Sequence, residues 1–122
     1  MIYTVGYNDK DFRQLSALMD KYKIDLLVDV RTKPQSHKSQ FNRACLEWRL
    51  KERYLWEGDR LGGLTKVRSP FYDEGLASLV KMNKSGKNLL LMCMETNPDK
   101  CHRKMWISRD LEKQFGVKVE HL

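Results

Sequence analysis

The sequence lacks the patterns that identify several common functional classes. It contains no GxxxxGK[ST] phosphate-binding loop and no GxGxxG dinucleotide motif, so we expect neither ATP-driven nor NAD-dependent chemistry. No apolar run approaches the roughly 18 residues that span a bilayer, and the amino terminus lacks the basic segment and long apolar stretch of a signal peptide. These absences predict a cytoplasmic protein with no membrane association.

Cysteine is scarce. Three residues, Cys45, Cys93 and Cys101, form no CxxC pair, and an odd count in a cytoplasmic chain argues against a disulfide framework. Thiol chemistry, metal binding and packing are the roles that remain. The spacing of Cys93, Glu95, Cys101 and His102 fits no standard zinc pattern, so we predict no metal and no other cofactor.

The amino-acid composition suits one folded domain covering residues 1–122. The chain is 41% hydrophobic and 32% charged, and its length suffices for one core with little chain to spare. Its 23 basic and 16 acidic residues give a net charge of +7, which favours anionic partners such as nucleotides or nucleic acid. The charge is spread along the chain, so a solvated surface is an equal interpretation.

Apolar runs alternate with helical patterns along the chain. The runs at 1–5, 25–30, 54–56, 88–93 and 117–120 predict strands, and helices are expected after Asn8, over 42–53, over 71–84 and from Asn97. This order predicts an α/β fold, with a mostly parallel, Rossmann-like sheet of about four to five strands flanked by helices. The run at 88–93 is almost wholly apolar, so its strand should be central.

Polar and reactive residues follow the predicted strands, where open α/β sheets bind ligands. They are Gly6 and Tyr7 after the first strand, Asp29, Arg31 and Ser36 after the second, and Cys93, Glu95, His102 and Arg103 after the central one. We expect these segments to meet at one sheet edge.

Two arginines and three proton-transfer candidates define the leading hypothesis for this edge. Arginine binds phosphate bidentately, so Arg31 and Arg103 would hold an anion. Asp29 or Glu95 would act with His102 in proton transfer if the protein is an enzyme. The alternative for Asp29 is a structural pair with Arg31.

The cysteines carry two interpretations. Cys93 ends a strand, where a nucleophile with a lowered pKa would sit, but a buried cysteine often packs as a small apolar residue. Cys101 falls on the apolar face of the last predicted helix, which favours a core position.

Several short motifs in order resemble a known family. They are TVGY at 4–7, DVRTKPQS at 29–36, FN at 41–42, LGG at 61–63, CME at 93–95 and CHR at 101–103. Together they are similar to domain of unknown function 488 (DUF488). The resemblance implies a compact α/β fold with its site among these residues, although Tyr7-Asn8 stands where many members have His-Ser.

A looser likeness is to rhodanese-type sulfurtransferases. LVDVR at 27–31 resembles their strand motif, and Cys93 ends a strand as their nucleophile does. The loop after Cys93 differs, since it is longer and contains Pro98.

The leading function is therefore binding of a phosphate-bearing ligand, either a small molecule or nucleic acid, at the carboxyl edge of the sheet, with hydrolysis left open. The alternatives are a protein that sequesters a nucleotide-like molecule without turnover, a rhodanese-like cysteine enzyme and a sequence-general nucleic-acid binder. The sequence does not indicate an oligomeric state.

Overall fold

One parallel sheet organises the protein. The computed structural model describes residues 1–122, including all side chains other than those of Lys104 and Met105. The strands are β1 (Ile2–Gly6), β2 (Leu26–Asp29), β3 (Tyr54–Trp56), β4 (Leu89–Cys93) and β5 (Val119–His121). They are all parallel, in the order β3-β2-β4-β1-β5. The predicted α/β fold with its parallel sheet is thereby confirmed, and β4 is the central strand.

Helices flank this sheet. The α-helices are α1 (Phe12–Lys21), α2 (Arg43–Leu50), α3 (Gly58–Leu61), α4 (Tyr72–Lys84) and α5 (Arg109–Phe115). Single 3-10 turns lie at Ser39–Phe41, Lys51–Arg53 and Pro98–Lys100, and a π-helical segment, Arg103–Ser108, leads directly into α5. The short α3 was not predicted, because a four-residue helix is too brief to show a periodic pattern.

The two faces of the sheet carry separate cores. Leu90 and Met92 of β4 pack with residues of α1 and α2, whereas Leu89, Leu91 and Cys93 pack with residues of α4 and α5. Successive strand residues point to opposite faces, so a strand covered on both sides must be apolar throughout. This explains the unbroken apolar run of β4.

The start of α1 differs from the prediction. Asp11, not Asn8, caps the helix: its side chain accepts from the Gln14 N–H at 2.8 Å, and the Gln14 side chain accepts from the Asp11 N–H at 2.8 Å. This reciprocal capping box satisfies two N–H groups that have no partner within the helix. Asn8 instead lies in the loop after β1, where its backbone N–H donates to the Met94 carbonyl.

The last helix is interrupted. We predicted a continuous helix from Asn97, but Asn97 caps only the turn Pro98–Lys100, and Cys101 then adopts extended backbone with φ −126° and ψ 141°. The helical run resumes at His102. Cys101 therefore lies at a break beside the carboxyl end of β4, and not within a continuous apolar helix face.

No helix in the described part of the chain is long and apolar enough to cross a membrane.

Candidate functional site

A cavity of about 870 Å³ opens at the carboxyl edge of the sheet. We call it the carboxyl-edge cavity. Its described walls come from the ends of β1, β2 and β4, from the loop after α3 and from the start of the last helical run: Tyr7, Arg31, Thr32, Lys33, Gln35, Gly63, Leu64, Lys66, Cys93, Met94, Glu95, Lys100, Cys101, His102 and Trp106. The segments that we expected to meet at this edge are thus neighbours here.

Asp29 and Arg31 form a buried ion pair next to the cavity. Arg31 donates from Nε to Asp29 Oδ1 at 2.8 Å and from Nη2 to Oδ2 at 2.6 Å. The Tyr54 hydroxyl donates to the same Oδ2 at 2.6 Å. Asp29 is 0% exposed and Arg31 7% exposed. This arrangement matches the structural pairing that we held as the alternative, and Asp29 is not among the described cavity-lining residues.

Arg31 makes two further hydrogen bonds with the protein. Nη2 donates to the Phe41 carbonyl at 2.7 Å, and Nη1 donates to the Tyr7 hydroxyl at 3.3 Å. Burial alone would lower the pKa of Arg31, but the hydrogen bonds and charge of Asp29 outweigh it and raise that pKa. Arg31 therefore stays charged and bound largely to its own protein, although it also lines the cavity, so its expected contact with an anion stays a prediction.

Burial also keeps the Tyr54 hydroxyl protonated. Together with the adjacent Asp29 carboxylate, it raises the pKa of Tyr54 well above its ordinary value. The hydroxyl therefore stays protonated and serves as a donor to Asp29.

Arg103 is buried as well, with 0% exposure. It donates to Thr4 Oγ1 at 3.1 Å, to Cys93 Sγ at 2.8 Å and to the Thr96 carbonyl at 3.0 Å, and it also contacts the Glu95 carbonyl. These contacts fasten the loop after β4 to β1. The expectation that Arg103 contacts an anion directly is corrected, because its donors point into the protein.

Two thiols lie together at the floor of the carboxyl-edge cavity. Cys93 Sγ and Cys101 Sγ are 2.7 Å apart, and both cysteines are free. Their exposures are 3% and 6%, and both belong to the core beneath α4 and α5. The expected packing role therefore holds for each, but both thiols also line the cavity. Their contact was not predicted, since a continuous helix from Asn97 would have carried Cys101 away.

His102 adjoins this pair. Its Nε2 lies 3.2 Å from the Val30 carbonyl oxygen and its Nδ1 lies 3.6 Å from Cys101 Sγ. A carbonyl only accepts hydrogen bonds, so Nε2 carries a proton, and Nδ1 either accepts from the Cys101 thiol or, in the protonated ring, donates to the thiolate. Cys101 Sγ, the His102 ring and the Val30 carbonyl that orients this ring correspond to the nucleophile, the base and the orienting group of cysteine-based catalysis.

The pKa values of the two thiols shift in opposite directions. The hydrogen bond with Cys93, followed by His102 and the Arg103 backbone N–H, lowers the pKa of Cys101 against the effect of burial. The same bond and burial raise the pKa of Cys93 despite the nearby Arg103 guanidinium. The pKa of Cys101 is therefore the lower of the two.

The remaining predicted site residues have supporting positions. A Cβ on Gly6 would overlap the Glu95 carbonyl group, so Gly6 permits the close approach of β1 to the loop after β4. The Tyr7 ring is 1% exposed and stacks on Phe41 at 4.5 Å. The Glu95 side chain accepts from the Asn97 N–H at 3.0 Å at the cavity wall.

Ser36 falls outside the described lining, as do Gly6, Asp29 and Arg103. Its N–H donates to Asn42 Oδ1 at 2.6 Å and its hydroxyl accepts from the Lys38 N–H at 3.0 Å. These bonds hold the loop between β2 and α2, so the expectation that Ser36 contacts a ligand is corrected to a structural role.

The resemblance indicated the start of the loop that follows α3, through LGG at 61–63, but the reasoning from residue types did not. Gly63 lies against the imidazole, since a Cβ there would come within 2.7 Å of His102 Cγ. Leu64 and Lys66 line the cavity from the same loop. No local signal in LGGLTK indicates a site, because neither a strand end nor a helix start falls within it.

The cavity rim is basic. Lys33, Lys66 and Lys100 line it, and all three side chains are exposed. Glu95 is the one acidic residue among the described lining. Among the described side chains, no group of three or more His, Cys, Asp and Glu is arranged to hold a metal ion.

The fold and this site define an α/β protein with a basic cavity at the carboxyl edge of its sheet and a thiol pair at the cavity floor. The family model described as domain of unknown function DUF488 matches residues 11–109, so the chain belongs to that family. No curated protein and no solved structure matches it.

Proposed function

We propose that the carboxyl-edge cavity binds a small phosphate-bearing ligand, such as a nucleotide or a nucleotide-derived molecule. The observation that carries the proposal is the placement of Lys33, Lys66 and Lys100 around one cavity. Ammonium groups bind phosphate as mobile point charges. These three lysines are exposed, whereas the guanidinium groups of Arg31 and Arg103 are buried and hydrogen-bonded within the protein.

The size of the cavity favours a small molecule over a nucleic-acid duplex. Ligand pockets commonly enclose about 300 to 1,000 Å³, and this one measures about 870 Å³. The Trp106 ring at the wall, edge-on to His102 at 6.2 Å, offers an aromatic surface for a base.

Chemistry on the ligand would use His102, with Glu95 as the nearby carboxylate. Both line the cavity, whereas Asp29 is buried in its ion pair. A general base must lie within hydrogen-bond reach of the proton that it removes. Hydrolysis and sequestration therefore remain the two outcomes of the same binding site.

The test is a calorimetric titration with ATP, ADP-ribose, a cyclic nucleotide, pyrophosphate and a short oligonucleotide. Replacing Lys33, Lys66 and Lys100 by Gln should weaken binding by about tenfold or more, which corresponds to about 1.4 kcal/mol. The matched control replaces the exposed Lys81, Lys84 and Lys113, which changes the net charge equally and should leave binding nearly unchanged.

Equal losses in both triple variants would reduce the effect to net charge and contradict the proposal. Binding of none of the small phosphate compounds would also contradict it, and binding of the oligonucleotide alone would replace it with a nucleic-acid function. Mass spectrometry of a bound ligand after incubation separates the outcomes, since an unchanged ligand indicates sequestration and a product indicates an enzyme.

A further inference from the structure

The contact between Cys93 and Cys101 joins two separate elements. Cys93 ends the central strand, and Cys101 occupies the break before the last helical run. Their sulfur atoms are 2.7 Å apart, so the two thiols are already in contact. Both line the carboxyl-edge cavity, so a molecule in the cavity reaches them.

The buried positive charge of Arg103 favours a negative charge on the pair of thiols. Arg103 is 0% exposed, and its described hydrogen-bond partners are a hydroxyl, a sulfur and carbonyl groups, with no carboxylate among them. A buried charge without a counter-charge is strongly unfavourable. Two thiols that share a single proton supply the missing negative charge next to the guanidinium.

The hydrogen bonds assign different roles to the two sulfurs. Arg103 Nη1 donates to Cys93 Sγ at 2.8 Å, and the proton between Cys93 Sγ and Cys101 Sγ can belong to either sulfur. His102 Nδ1, 3.6 Å from Cys101 Sγ, faces the same sulfur. The contact with His102 favours Cys101 as the thiolate, so Cys93 would hold the shared proton until Cys101 has reacted.

We propose that Cys93 and Cys101 are a dithiol–disulfide pair that reduces an anionic low-molecular-weight disulfide in the carboxyl-edge cavity. The Cys101 thiolate attacks one sulfur of the substrate, so that a mixed disulfide forms, the substrate S–S bond breaks and one substrate thiolate leaves. Cys93 gives its proton to that leaving thiolate and attacks Cys101 Sγ, which expels the second thiolate. Two electrons pass from the protein dithiol to the substrate, and the products are the Cys93–Cys101 disulfide, one substrate thiol and one substrate thiolate, which takes its proton from solvent.

Arg103 suits the second step. Once Cys101 is in the mixed disulfide, it no longer carries a negative charge, and the guanidinium next to Cys93 favours the Cys93 thiolate. Thiol–disulfide exchange proceeds through attack by a thiolate, so the same arginine that holds the loop after β4 activates the resolving sulfur.

The rim explains the choice of substrate class. Lys33, Lys66 and Lys100 surround the entrance, so a disulfide that bears carboxylates, such as oxidised glutathione, is attracted there. This activity does not depend on phosphate binding, because it requires the cysteines and not a phosphate ligand. The lysine variants affect both proposals, whereas the cysteine variants leave the lysines in place and test the disulfide reaction separately from phosphate binding.

The test is incubation of the native protein with oxidised glutathione, followed by acid quenching, alkylation and peptide mapping. The wild-type chain and Cys45→Ser should both form the Cys93–Cys101 disulfide. Cys93→Ser should stop at a glutathione adduct on Cys101, formed at least about tenfold faster than the adduct on Cys45. Cys101→Ser should lose this rapid reaction.

Failure of the native wild-type chain to form a Cys93–Cys101 disulfide would overturn the proposal, and this measurement needs no variant to fold. Equal rates of adduct formation at Cys101 and Cys45 in folded Cys93→Ser would overturn the assignment of Cys101 as the attacking thiolate. Circular dichroism of each variant establishes that it is folded before its rate is compared.

Discussion

At the scale of single residues, the two buried arginines are balanced by different chemistry. Arg31 has the Asp29 carboxylate, bound through two hydrogen bonds. Arg103 has the Cys93 sulfur together with backbone carbonyl groups. The Asp29–Arg31 pair has a structural role. The contact between Arg103 and Cys93 instead links a guanidinium to a sulfur that can change its protonation and its oxidation state.

The Asp29–Arg31 pair leads to a stability prediction. Asp29→Asn leaves the buried Arg31 charge without its carboxylate and turns an amide N–H₂ toward donors of Arg31 or Tyr54. We expect a loss of about 3 to 5 kcal/mol in the free energy of unfolding, as when one partner of a buried ion pair is removed. Urea denaturation followed by circular dichroism measures the change.

The control for this prediction is Asp9→Asn. Asp9 pairs with Lys10 at 2.8 Å, but its side chain is 63% exposed, so the loss should be at most about 1 kcal/mol. If Asp29→Asn cost no more than Asp9→Asn, the buried pair would not hold the end of β2.

Residue type indicated the charged groups at the site but not where they point. Arg31 and Arg103 were expected at the sheet edge, and both are there. Whether a guanidinium faces a cavity or its own protein depends on acceptors distant in sequence: Phe41 O for Arg31, Thr4 Oγ1 for Arg103. No local pattern contains that information.

At the scale of elements, the strands were easier to predict than the helix ends. The apolar run of β4 is unambiguous, because burial on both faces removes polar residues from it. The start of α1 was misplaced, since Asn8 and Asp11 are both good capping residues and only the structure distinguishes them. The break at Cys101 was missed because asparagine followed by proline is also a normal helix start.

The start of α1 gives the second stability prediction. Asp11→Ala removes an acceptor from the Gln14 N–H and half of the capping box, so it should lower the free energy of unfolding by about 1 kcal/mol. Asn8→Ala is the matched control and should have little effect, because the described bond of Asn8 to Met94 uses its backbone N–H. Urea denaturation compares them, and a larger loss for Asn8→Ala would move the cap back to Asn8.

At the scale of the whole molecule, one sheet separates two cores but also joins them. Leu15 of α1 lies in one core and Leu79 of α4 in the other, and each is 0% exposed. Both cores rest on β4, whose hydrogen bonds reach β1 on one side and β2 on the other. Loss of either core leaves one face of the central strand uncovered, so neither core should stay folded without the other.

We therefore predict a single cooperative unfolding transition. Leu15→Ala and Leu79→Ala should each cost about 2 to 5 kcal/mol. Each should shift the urea midpoint equally for two reporters: Trp106, packed against the α4 and α5 core, and Trp56, packed against the α1 and α2 core. Chains that retain one of these tryptophans, with the other and the 74% exposed Trp48 replaced by Phe, supply the signals. Two-state unfolding requires the reporters to coincide, so a Leu79→Ala shift seen by Trp106 but not by Trp56 would show that the cores unfold independently.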